Sequence, residues 1–196
     1  MSNRIVTGEV RLSYANIWEP KSIQGSDPKY SCSLLIPKTD TKTVAAIEQA
    51  VKNTLAESAG KFGGKVPPLG SLKLPLRDGD AEKDTETNPE YAGMFFVNAN
   101  NKAAPQIVER SATGQIQPIL DQNEVYSGCY AQVSIEFFAF NTNGNKGVGV
   151  ALGNILKTRD GDALGGGAIS AEADFGAVTD FGRGGFARAE EDDLLG

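Results

Sequence analysis

Asp78, Asp80 and Asp160, set in Arg77-Asp78-Gly79-Asp80 and Arg159-Asp160-Gly161-Asp162, are the carboxylates whose spacing comes nearest to a catalytic set. Gathered around magnesium they would serve phosphodiester hydrolysis, the one enzyme reading open to this chain. Neither run has the regular oxygen donors and closing Glu of a calcium loop. Both read better as acidic turns whose arginines pair locally or touch phosphate. The chain has no histidine, which excludes Ser-His-Asp, Cys-His and HExxH chemistry and the commonest transition-metal ligand. Cys32 and Cys129, the only cysteines, lie far apart with no CxxC, so they read as buried thiols rather than as a zinc site or a disulfide framework. Gly144, Gly147 and Gly149 lack the strand-to-helix setting of a phosphate fingerprint. No catalytic residue, metal or cofactor is assigned.

A second chemistry is written in aromatic and cationic residues. On the polar side of a period-two segment over 130–140, Tyr130, Phe138 and Phe140 interleave with Gln132 and Ser134. Phe96, Asn98, Asn100 and Lys102 share a face in the same way. Rings on a wet face can stack bases, at about 1–3 kcal/mol per base and with little sequence preference. The alternative, that the rings cover a second small core under the helix or in a homodimer interface, stays open. Phosphate neutralisation needs cations, and Arg11, Lys21, Lys29, Lys73, Arg77, Lys102 and Arg110 are the candidates. Trp18, beside Pro20 and Lys21, reads equally as a stacking ring or a core plug.

The elements that must position these side chains are mostly strands. Val10, Leu12 and Tyr14 alternate with Arg11 and Ser13; Tyr30, Cys32, Leu34 and Ile36 with Ser31 and Ser33; Phe95, Val97 and Ala99 with Phe96 and Asn98. Val133, Ile135, Phe137 and Ala139 form the apolar side of the longest strand, Asn143-Gly144 turns the chain, and residues 147–157 return. One helix begins at the cap Asp40, carries the stripe Val44, Ile47, Val51 and Leu55, and is expected to end near Gly60. A long Pro-, Gly- and Asp-rich connection over 62–91 holds a short extended piece at 72–76. The fold class is mainly β: an OB-fold-like, partly open five-stranded barrel with one helix, a long connecting loop and a disordered C-terminal tail. A two-sheet sandwich is the competing architecture.

Charge divides the chain in two. Residues 170–196 hold seven acids against Arg183 and Arg188, a net of −5, so the body carries only −1 of the total of −6. An acidic whole therefore permits a locally basic body. Gly165, Gly166 and Gly167 mark the junction, giving a domain over 1–167 and a flexible acidic tail over 168–196. Glu190, Glu191, Asp192 and Asp193 lead into Leu194 and Leu195, a sequence suited to docking on a partner. No apolar run of membrane-spanning length and no leader pattern occur, so no membrane partner and a cytoplasmic location are expected.

Several separated pieces resemble a known family. They are Arg11-Leu12-Ser13-Tyr14, the Lys29-Tyr30-Ser31 to Leu35-Ile36-Pro37-Lys38 strand, Pro75-Leu76-Arg77-Asp78-Gly79-Asp80, Tyr126-Ser127-Gly128-Cys129-Tyr130, and Asp160-Gly161-Asp162 with Leu164-Gly165-Gly166. In this order they resemble a phage family, first grouped as a domain of unknown function, whose members look like replicative single-stranded DNA-binding proteins with an OB fold and an acidic tail. The resemblance implies a non-enzymatic protein that coats strands exposed in phage DNA replication and recombination. It also implies that the tail contacts phage or host replication proteins. Related tails often end in an aromatic residue, whereas this chain ends in Leu194-Leu195-Gly196. A phage structural or assembly protein with a β-sandwich is the alternative, and a magnesium nuclease the enzyme rival.

Overall fold

Alternation in the sequence becomes a ring of strands. The computed structural model describes residues 3–164. In chain order these form β1 (Arg4–Val6), β2 (Val10–Lys21), β3 (Lys29–Pro37), α1 (Thr41–Glu57), β4 (Arg77–Asp78), α2 (Gly79–Glu82), β5 (Met94–Asn101), β6 (Ile107–Arg110), β7 (Ile116–Pro118), β8 (Tyr130–Thr142) and β9 (Asn145–Arg159). β2 pairs antiparallel with β3, β3 with β5, β9 with β8, and β8 with β2, while β5 meets β9 in parallel. The circuit β2-β3-β5-β9-β8 is a five-stranded OB-type barrel. Its β5–β9 seam holds one registered pair, Asn100 with Ala151, which is where the barrel is partly open.

Four short strands were not anticipated, because two to four residues are too few to show a period. β1 lies along β8, β4 along β5, and the β6–β7 hairpin extends the sheet from β9. The extended piece expected at 72–76 appears as a single parallel bridge between Lys73 and Gly147.

Inward residues of all five barrel strands fill the core: Leu12 and Ile17, Leu34 and Ile36, Val97 and Ala99, Val133 and Ile135, Val150 and Leu152, with both cysteines among them. Each fully buried Leu or Ile contributes roughly 1.5–3 kcal/mol against leaving it in water. α1 lays Ile47, Ala50, Val51 and Leu55 on the same core. Its N-terminus is capped by Asp40, whose carboxylate accepts from the Thr43 amide at 3.1 Å. The helix ends at Glu57, and a further 3-10 turn places the left-handed residue at Gly63 (φ 83°) rather than at Gly60. At the β8–β9 hairpin Asn143 and Gly144 both take positive φ, 51° and 84°, as a type I′ turn requires. The body unit runs to Asp162; the boundary expected at 167 and the tail lie outside the described residues.

Candidate nucleic-acid interface

One row of registered residues crosses the outer wall of the barrel. Glu136 on β8 pairs with Ala151 on β9, Ala151 with Asn100 on β5, Asn100 with Ser31 on β3, and Ser31 with Asn16 on β2. The adjoining row carries Asn98, which is exposed, and Ser13 and Ser33, which are buried and lie outside the open part of the wall. Apart from Glu136, these side chains are short and mostly polar, so the wall is a shallow floor of hydrogen-bonding groups. β9 keeps it low: Gly149 precedes Ala151, and a β-carbon at Gly149 would come within 2.5 Å of the Phe138 ring, which lies across it.

Among the described residues two aromatics stand out in solvent, Phe138 at 45% and Tyr14 at 63% exposure. Phe138 is on the expected face. Tyr14 overturns a sequence expectation, since alternation with Val10 and Leu12 put it inside. A register shift between Ser13 and Asn16 breaks the pairing of β2 with β3, and Tyr14 takes φ 47° and turns outward. A bulky residue with φ in the left-handed region costs about 1–3 kcal/mol and persists only where the surroundings enforce it. No apolar-polar pattern announces a bulge, which is why Tyr14 was missed.

Phe96, read as a stacking ring, is instead 1% exposed. Tyr91 meets it edge-on with centroids 5.3 Å apart, and Leu35 is its registered neighbour on β3. The Arg77 guanidinium lies 4.9 Å and the Lys83 ammonium 5.4 Å from the Phe96 centroid. The 77–94 segment thus closes a second small core outside the barrel wall, and it is this connection, neither α1 nor a second copy, that covers Phe96. Burial pushes up the pKa of the Tyr91 hydroxyl, and a hydrogen bond with Ser13 opposes the shift. Lys83, which sequence reasoning missed, also sits 5.3 Å from the Tyr91 ring.

Other predicted residues are already engaged. Arg11 donates to the carbonyls of Gly128 at 3.0 Å and Asp162 at 2.7 Å. Tyr130 carries the Arg159 guanidinium 3.6 Å from its centroid and Arg11 at 5.6 Å. The Trp18 indole donates to Val125 at 2.9 Å and packs on the core, which makes it a plug. Gln132 is half-buried and reaches the Thr7 carbonyl at 3.5 Å, and Phe140 is half-buried beside Gly147. Asn98 is exposed and bonded to Ser33.

The cations form the margins of the floor. Lys21 and Lys29 face each other across β2 and β3, and Lys102 follows Asn101, the partner of Tyr30. Like charges directly opposite repel; Asp27, 3.1 Å from Lys102, offsets part of this. Arg77, paired with Glu82 at 2.6 Å, and Lys83 lie on another side. Lys73 is exposed next to Gly147, and Arg110 is exposed on β6.

The carboxylates do not assemble. Lys38 binds both Asp78 and Asp80 at 2.7 Å and holds them below the usual carboxylate range. Asp160 is lowered likewise by Lys157, 2.7 Å away, and by the Tyr126 hydroxyl. Among the described residues no three His, Cys, Asp or Glu side chains gather to hold a cation, and no helix is long and apolar enough to cross a membrane.

Comparison with known proteins gives a consistent set. The family model of the Enterobacter phage Enc34 ssDNA-binding protein matches residues 3–194. Protein p50 of Acyrthosiphon pisum secondary endosymbiont phage 1 is 31% identical over 201 residues, covering 98% of each chain. The bacteriophage Enc34 single-stranded DNA-binding protein, in complex with ssDNA, is similar at TM-score 0.69 and 25% identity, covering 83% of this chain and 90% of that one. The bacteriophage T7 single-stranded DNA-binding protein gp2.5 shares the fold at TM-score 0.56 and 15% identity, covering 89% and 95%.

Proposed function

The chain belongs to the Enterobacter phage Enc34 ssDNA-binding protein family, and we propose that it binds single-stranded DNA without sequence preference and without catalysis. The observation that carries this reading is the shallow polar floor on the outer barrel wall, with Tyr14 and Phe138 exposed and lysines at its margins. Ring faces take bases of any identity, short polar side chains leave room for the strand, and peripheral ammonium groups neutralise phosphates. Of the residues read from sequence, Lys21, Lys29, Lys73, Arg77, Asn98, Lys102 and Phe138 remain in this interface. Arg11, Trp18, Phe96, Tyr130, Gln132 and Phe140 are taken up by contacts within the protein and are left out of it.

The protein would act in the host cell cytoplasm during phage DNA replication and recombination, covering exposed strands. The tail, with five of the six net negative charges, would compete for the same cationic margins at high effective concentration until DNA or a replication protein displaces it. Deleting residues 170–196 is then expected to tighten low-salt DNA binding, and unchanged affinity would remove the competition. The direct test of function is protection of a labelled oligonucleotide from a single-strand-specific nuclease. The protein should shield the strand and, with magnesium alone, leave it intact; cleavage by the protein would return the enzyme reading.

A further inference from the structure

Tyr14 is strained, exposed and unexplained by packing. Its φ of 47° places a bulky side chain where glycine or asparagine is usual. The residue is 63% exposed, so burial does not offset the conformation. No hydrogen bond to its hydroxyl occurs among the described residues. Ser13, the residue before Tyr14, is registered with Ser33 and through Ser33 with Asn98, two residues along β5 from Phe96, and the Lys83 ammonium is 5.4 Å from the Phe96 ring and 5.3 Å from Tyr91. Lys83 makes no ion pair among the described residues, although Arg77 beside it is paired with Glu82. Two buried rings therefore hold a cation that has no anion among the described residues, on the outer face of the sheet where β2 bulges and turns out a ring held in an unfavourable backbone conformation.

We infer that Tyr14 and Lys83 form one nucleotide-binding step, the phenol ring taking the face of a base and the ammonium an adjoining phosphate. The inference rests on the single-strand reading above and assigns that function to two residues the sequence did not single out. Strain at a site that binds a flat ligand is a form of pre-organisation: the ring is already turned out before the strand arrives. The bulge supplies the turn, and the second small core supplies the cation.

The test uses the full chain and a dT oligonucleotide. Tyr14→Gly should weaken binding by about 5- to 150-fold, the equivalent of one stacked base, with the slope of affinity against salt unchanged. Its Tm should stay within about 3 °C of the parent or rise, because glycine adopts this φ without a clash. Tyr14→Phe should bind like the parent. Lys83→Gln should reduce the salt slope by about 0.7, the value of one phosphate on a single strand. Photocrosslinking of the unaltered protein to an oligonucleotide carrying 5-iododeoxyuridine should yield an adduct on Tyr14. Parental affinity in Tyr14→Gly, a clear fall in its Tm, or adducts confined to Phe138 would each overturn the step. Failure of the unaltered protein to bind dT would instead sink the single-strand reading itself.

Discussion

Gly147→Ala is the substitution whose cost follows most directly from the structure. Gly147 is buried on β9, and a β-carbon there would overlap the Lys73 carbonyl oxygen and come within 2.8 Å of the Lys73 nitrogen and carbonyl carbon. Those atoms are backbone and cannot swing aside as a side chain would. The strap around Lys73 must lift, breaking the bonds from the Lys73 amide to Lys146 (2.9 Å) and from the Val148 amide to Lys73 (3.0 Å). Each such bond contributes about 0.5–1.5 kcal/mol net. Leu72, 8% exposed, would lose part of the roughly 1.5–3 kcal/mol of its burial. The sum is about 2–5 kcal/mol, or a fall in Tm of roughly 4–20 °C for a chain of this size. Urea unfolding and calorimetry measure it, and hydrogen exchange at Lys73 and Val148 reports whether the strap has lifted. Lys73→Ala, which keeps the backbone bonds, should change stability by no more than about 0.5 kcal/mol. Parental stability and exchange in Gly147→Ala would refute the reasoning.

Three further outcomes are expected. Asp78 and Asp80 are lowered by Lys38, so the stability they contribute is present above the unfolded carboxylate pKa of about 3.9 and is lost as pH falls through their folded values; Lys38→Met should flatten that part of the acid unfolding profile. Cys32, its thiol pushed up to about 12 by burial, and Cys129, raised for the same reason, should resist a thiol reagent at pH 8 and react only on unfolding, as titration with and without denaturant would show. Tyr130→Ala should leave dT affinity within about threefold of the parent, because the ring is held by Arg159 and Arg11; a loss of tenfold or more would return Tyr130 to the interface.

The barrel was legible because its five strands are long and alternate. Cys32-Leu34-Ile36 and Val133-Ile135-Phe137 each name an inner face that the structure keeps. Asp40 and Asn143-Gly144 mark ends by local chemistry, independent of the rest of the fold. The site was less legible, because exposure is a tertiary property. Phe96 has the alternation of an outward residue and is outward, yet the 77–94 segment, which carries little apolar periodicity, covers it. Tyr14 has the alternation of an inward residue and a bulge reverses it. Arg11 and Trp18 carry suitable chemistry, but the Gly128 and Asp162 carbonyls take one and the Val125 carbonyl the other, partners 107 or more residues away in sequence. Lys21, Lys29 and Lys102 were legible as cations and meet only because β2, β3 and β5 pair.

Fluorescence anisotropy of a labelled dT oligonucleotide, titrated with the purified full chain at several salt concentrations and with duplex of equal length as competitor, tests the central claim most directly. Tight binding that weakens steeply with salt and resists the duplex is expected. Absence of binding at low salt, or equal displacement by duplex, would contradict it.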